Sequence, residues 1–138
     1  MEAKDLMIGD WVQNPLGAKG WVKEIRLIPK DSDGFGGYYL VDIAYSKDGD
    51  SYARLEAKEL NPIPLAPEIL EKNGWVNEHL GAQWQEWWLD KTKFPIVRYS
   101  VNDTLHHNGI VLKFVHQLQQ ALKVCGIDKE IDLNNTEN

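Results

Sequence analysis

The sequence reads as an α+β chain: short strands bent into a small barrel, then a small antiparallel sheet carrying one C-terminal helix. Three observations carry that reading. Runs rich in β-branched and aromatic residues recur between Gly, Asn and Asp turn signals through residues 1–61. Pro62, Pro64 and Pro67 then hold the chain extended. From Phe114 the apolar period turns helical, with Phe114, Leu118, Ala121, Leu122 and Cys125 on one stripe and Gly126 as the stop.

The elements follow in order. Asp10–Gln13 is a first strand, ended by Asn14-Pro15 with Gly17 and Gly20. Trp21–Ile28 is a second, with Val22, Glu24, Arg26 and Ile28 on one side and Trp21, Lys23, Ile25 and Leu27 on the other. Residues 31–37 are a loop by composition, and Tyr38–Tyr45 is the strongest strand of this half. Asp48-Gly49 is a hairpin signal leading back through Ser51–Leu55, and Lys58-Glu59-Leu60 leads out. Strands so short and closely spaced predict an SH3-like β-barrel over residues 1–61. Residues 62–67 are the proline-rich joint, 68–133 a small α+β domain, and 134–138 a frayed polar tail.

In the second half Pro67 opens a short helix through Lys72 that stops at Asn73-Gly74. Trp84–Asp90 and Phe94–Val101 read as strands. Asn102-Asp103 and Asn108-Gly109 are turn signals, with Ile110–Lys113 a third strand. A rival reading makes Asp103 an N-cap with one helix to Val124, which Asn108-Gly109 in its middle opposes.

Composition narrows the function classes. The 138 residues are 43% hydrophobic and 26% charged, an ordinary globular composition. Fifteen Lys and Arg against 21 Asp and Glu give −6. Residues 1–66 hold 8 basic and 11 acidic side chains and 67–138 hold 7 and 10, so neither half is a basic module. Nucleic acid held by bulk charge is thereby disfavoured. No apolar run approaches a membrane span and no targeting segment is evident, so a cytoplasmic protein is expected.

Ile8-Gly9-Asp10-Trp11-Val12, followed by Gly17, Gly20, Val22 and Ile25, resembles the opening of KOW-type SH3-like barrels, some of which bind RNA or ribosomal proteins. That resemblance implies a nucleic-acid surface on Trp11, Lys19, Trp21 and Lys23, although the family's basic turn is nearly absent. Pro62-Ile63-Pro64-Leu65, Glu68-Ile69-Leu70, Asn73-Gly74-Trp75 and Val115-His116-Gln117-Leu118-Gln119 resemble, in order, small uncharacterised proteins of Bacteroidales genomes and their prophages. The likeness implies a phage or mobile-element context and no particular activity; Gln120-Ala121-Leu122 departs from the usual pattern.

Catalytic motifs are missing. His79, His106, His107 and His116 show no His-x3-His spacing, and Cys125 is the single cysteine, so no metal site or cofactor is expected. His106 and His107, adjacent on a strand, point to opposite faces. Asp31-x-Asp33 lacks the remaining ligands of a calcium loop, with Phe35 at the third position. Cys125, at a helix C-terminus, is expected buried and inert. Neither a nucleophile motif nor a carboxylate pair in an apolar setting occurs, so a small-molecule enzyme would have to draw on residues scattered in sequence.

What remains is binding. On the C-terminal helix His116, Gln119, Gln120 and Lys123 fall opposite the apolar stripe, and glutamine both donates and accepts. The alternative for His116 and Gln117 is that they satisfy nearby sheet backbone. Trp84 and Trp88 share one strand face while Trp87 joins Leu89 on the other, and a sheet packed on one helix cannot bury both. One set is left to cover the barrel, line a groove or meet a partner. The expectation is a non-enzymatic adaptor that binds a protein partner or itself through His116, Gln119, Gln120, Trp87 and Trp88.

Overall fold

Turn chemistry and β-branched runs produce the two sheets. In the computed structural model, residues 1–46, 52–78, 84–90, 93–99 and 104–133 are described. The chain is α+β and divides into two compact units, Met1–Ile63 and Pro64–Asn138, each built on a five-stranded antiparallel sheet. Among the described residues no helix is long and apolar enough to cross a membrane.

In the first unit β1 (Trp11–Gln13), β2 (Lys19–Ile28), β3 (Tyr38–Ala44), β4 (Tyr52–Glu56) and β5 (Asn61–Pro62) lie in the order β4-β3-β2-β1-β5. The sheet is open, with β4 and β5 at its edges. Asn14 makes the β1–β2 turn: its Oδ1 accepts from the backbone N–H of Leu16 and Ala18, both at 2.9 Å. Asp31 repeats the device in the β2–β3 loop, its Oδ1 accepting from Asp33 and Phe35. The turn expected at Asp48-Gly49 lies outside the described residues. Where Lys58-Glu59-Leu60 leads out, Ala57–Glu59 is a 3-10 turn.

Leu6, Val12, Val22, Val41, Ile43, Ala57 and Leu60 form the core of this unit. The even alternation expected along β2 fails at one point. A bulge between Val22 and Glu24 inserts Lys23, so Val22 opposes Ile43 and Ile25 opposes Val41. Both therefore face the core. One extra residue reverses the phase of everything after it. Gly20 sits where β2 passes β3: a Cβ there would lie 2.6 Å from the Ala44 carbonyl oxygen and 2.6 Å from Ile43 Cγ2.

The other face of β3 carries Asp42. Its carboxylate accepts from Arg54 Nε at 2.7 Å, with Arg26 Nη2 at 3.9 Å. The Arg54 hydrogen bond holds the Asp42 carboxyl below the usual carboxylate range, against the opposing effect of burial. The unfolded chain therefore takes up this proton first as pH falls. Stability from the pair is present above the ordinary value of about 3.9 and is lost as pH drops through the folded value. Asp42→Asn is expected to lower urea resistance at pH 7 and to shrink its difference from the parent by pH 3. A difference unchanged between those pH values would contradict the assignment.

The second unit begins with Pro64 bridged to Phe114 and the Leu65 N–H donating to the Lys113 carbonyl at 2.8 Å. Helix α1 (Pro67–Lys72) has proline at its first turn and ends at Asn73 with Gly74 at φ 98°. A meander follows: β6 (Trp75–Glu78), β7 (Trp84–Leu89), β8 (Lys93–Tyr99), β9 (Leu105–His107) and β10 (Ile110–Val111), in the order β10-β9-β8-β7-β6. The expected turn at Asn102-Asp103 lies outside the described residues. Asn108 and Gly109, at φ 50° and 82°, make the two-residue turn of the β9–β10 hairpin. That hairpin replaces the rival single helix. The chain closes with helix α2 (Val115–Val124), whose start Gln117 caps: its Oε1 accepts from the N–H of Lys113 at 2.8 Å and of Phe114 at 3.1 Å.

Side chains bind the ends of this unit together. Asn73, buried, donates to the carbonyls of Ile69 and Asp132, and its Oδ1 accepts from the Asp132 N–H at 2.7 Å. Trp75 Nε1 donates to the Phe94 carbonyl at 3.1 Å. Phe94 lies in the left-handed region at φ 52°, beside a β7–β8 bulge, and its ring stacks on His107 with centroids 3.6 Å apart. His107 Nδ1 lies 2.8 Å from the Pro95 carbonyl, which can only accept, so Nδ1 carries the proton.

Candidate functional site

Strand registers sort the second sheet into two faces. Trp75 pairs with Leu89, Asn77 with Trp87, Trp87 with Ile96, and Arg98 with Leu105. Trp75, Trp87, Leu89, Phe94, Ile96, Leu105 and His107 are buried, as are Leu70 of α1 and Val115, Leu118 and Leu122 of α2. Trp87 Nε1 donates to Glu71 of α1 at 3.0 Å, which places that helix on this inner face. Arg98 lies there too, its guanidinium 5.4 Å from the Trp87 ring and donating to Gln85.

The outer face is different. Val76 pairs with Trp88, Glu78 with Glu86, Glu86 with Val97, Val97 with His106, and His106 with Val111. Trp84 falls on the same side, two residues from Glu86. Val76 is 53% exposed and Trp84 44%, with Val111 also exposed. Trp88 and Val97 are half-buried. The indole N–H of Trp88 donates to the Glu86 carboxylate, and His106 Nε2 lies 2.6 Å from the Thr104 hydroxyl. The neighbouring polar groups thus fix Trp88 and His106 while the apolar surface stays open.

The expected binding residues do not come together. Trp87 is 1% exposed and belongs to the inner face, where Glu71 satisfies its indole. Trp88 belongs to the outer face. His116 is 5% exposed in the first turn of α2, its ring stacked near Phe114 with centroids 5.9 Å apart. Gln119 and Gln120 are half-buried on α2. Cys125 is exposed at the end of α2, not buried as expected, because the buried stripe runs through Val115, Leu118 and Leu122 and the helix ends at Val124. Trp84, Val76, Val97 and Val111 are apolar outer-face residues that the expected set omits. Period-2 alternation marks Trp84 as the partner of Trp88 on one face.

In the first unit Trp11 is buried edge-on against half-buried Trp21, with centroids 5.4 Å apart, so its ring is not open for base stacking. Lys19 and Lys23 are exposed, and Lys23 Nζ lies 5.9 Å from the Tyr52 ring centroid. A groove of about 470 Å³ lies between Ala3, Tyr38, Tyr39 and Ala57. The ionisable groups on its rim pair with each other, Lys4 with Glu2 and Lys58 with Glu56. A cleft of about 320 Å³ in the second unit is lined by Leu65, Pro67, Arg98, Thr104, Leu105 and Lys113. Neither hollow gathers an acid and a base around one reacting atom. As expected, His106 and His107 face opposite ways. His79 lies outside the described residues. No family model, no curated protein and no solved structure matches this chain.

Proposed function

We propose that the chain is a non-enzymatic binding protein of adaptor type whose contact surface is the outer face of the second sheet. The observation that carries the reading is the set of Trp84, Trp88, Val76, Val97 and Val111 on the side of the sheet away from its buried residues. Tryptophans grouped with valines on an exposed face, with charged groups few among them, match the aromatic enrichment of protein contacts. Gln119 and Gln120 on α2 are a second, smaller candidate contact. The strand order of the first unit, its β2 bulge and the 3-10 turn before β5 support an SH3-like reading of that unit as an open five-stranded sheet, which serves here as scaffold. The resemblance to small Bacteroidales and prophage proteins supports a phage or mobile-element context.

The test is affinity capture from host lysate after nuclease treatment, comparing the parent with Trp84→Ala/Trp88→Ala and with Gln119→Ala/Gln120→Ala. A protein retained by the parent and reduced at least about tenfold by the tryptophan pair is the expected result, equivalent to about 1.4 kcal/mol. Selective loss in the glutamine pair moves the surface to α2. Partners removed by nuclease would move the reading to nucleic acid.

A further inference from the structure

We infer that the occupant of this outer face is a cationic protein segment, one that presents arginine or lysine among apolar side chains, rather than a second copy of the chain. The inference rests on the reading of the face as a contact surface. Its described carboxylates stand together: Glu78 lies directly opposite Glu86, with Val97 on the other side of Glu86. Two carboxylates opposite each other across an antiparallel pair repel and weaken the sheet. A cation from outside relieves that repulsion. The Trp84 and Trp88 indoles beside them offer π faces, and Trp88 already orients the Glu86 carboxylate. Guanidinium suits this surface best, since it stacks on indole and pairs with carboxylate at once.

Charge also argues against self-association through this face. In a two-fold contact this face would meet its own copy, which brings the same Glu78–Glu86 pair and no described Lys or Arg to answer it. Each copy further carries a net −6. Facing like charges cost affinity and slow encounter.

The probe is nona-arginine, with nona-glutamate as its control, titrated into the full ¹⁵N-labelled chain. The indole N–H signals of Trp84 and Trp88 are assigned through Trp84→Phe and Trp88→Phe. Nona-arginine is expected to shift those two signals saturably while Trp75 and Trp87 stay in place, and to lose affinity as salt rises. Glu78→Gln/Glu86→Gln is expected to weaken the binding at least about tenfold. Nona-glutamate is expected to leave the spectrum unchanged. Shifts elsewhere, with Trp84 and Trp88 unmoved, overturn the inference. A concentration-dependent dimer in sedimentation equilibrium that Trp84→Ala dissolves also overturns it, yet leaves the face as a contact surface. Lysate capture that Trp84→Ala/Trp88→Ala does not change removes the underlying reading as well.

Discussion

Trp75→Ala is expected to remove about 3–5 kcal/mol from the second unit, the range for deleting a buried indole. The side chain is 2% exposed and ties β6 to both sides of the β7–β8 turn, pairing with Leu89 and donating to the Phe94 carbonyl. That carbonyl belongs to a residue held at positive φ beside a bulge, where backbone groups have few alternative partners. A compact unit of some seventy residues is stable by only about 4–11 kcal/mol, so the variant loses a large share of it. Trp75→Phe separates the two contributions. It keeps most of the volume and leaves the carbonyl without its donor, at about 1–3 kcal/mol. Urea unfolding followed through amide signals of β7 and β8 is the measurement, with Trp84→Ala as an exposed tryptophan for comparison. A loss under about 1 kcal/mol for Trp75→Ala would contradict the packing described.

Gly20→Ala is the second large effect, and it arises from space rather than backbone conformation. The added methyl would meet the Ala44 carbonyl oxygen and Ile43 Cγ2, each at 2.6 Å. Neither neighbour can withdraw: one is backbone in the β2–β3 ladder, the other a buried β-branched side chain. Forcing such a contact costs about 1–3 kcal/mol. Gly34→Ala provides the contrast, because Gly34 has φ 88° and open space around it. That variant pays only the left-handed conformation, about 1–2 kcal/mol. Calorimetric melting of both variants, with Ala44 and Ile43 amide shifts read alongside, separates the causes. Displaced Ala44 and Ile43 signals are expected for Gly20→Ala and not for Gly34→Ala. Undisturbed signals in the Gly20 variant would remove the steric account.

What the sequence reveals of this molecule follows from how local each signal is. Asn14-Pro15, the Asp31 loop, Pro67 and Asn108-Gly109 shape the backbone through their own side chains or φ angles, and each sits where a turn or helix start was expected. Strand β6 was not expected, and β9 entered only as the strand setting of His106 and His107, without bounds. Asn77, Glu78 and His106 have weak strand preference, and only pairing with β7 and β8 holds them extended. The β2 bulge also depends on a neighbour, so alternation read from one strand put Ile25 on the wrong side. The helix phase held at Leu118 and Leu122 and departed at the ends, where Val115 and His116 are buried and Cys125 is exposed. The buried face is wider in the first turn than the apolar stripe alone, and it takes in His116 beside Val115. For the candidate surface, alternation separated Trp84 and Trp88 from Trp87, because β7 keeps its period against β6. Which of the two faces would be covered depended on α1, whose Glu71 reaches Trp87 from outside the strand.

Both units are finished by a carboxamide that reaches back to a distant part of the chain. Gln13 Nε2 donates to the Pro62 carbonyl 49 residues on, and Asn73 joins Asp132 across 59. During synthesis this imposes a timetable. A nascent chain that has exposed β1 to β4 still lacks the edge strand against which β1 rests, and the second meander waits in the same way for Asp132. Closing loops of that length is entropically slow compared with zipping adjacent hairpins. The first unit can complete itself while the second is still being translated, since its last partner is Pro62. Translation order thereby spares the early strand edges a long wait beside the unfinished tryptophan-rich half.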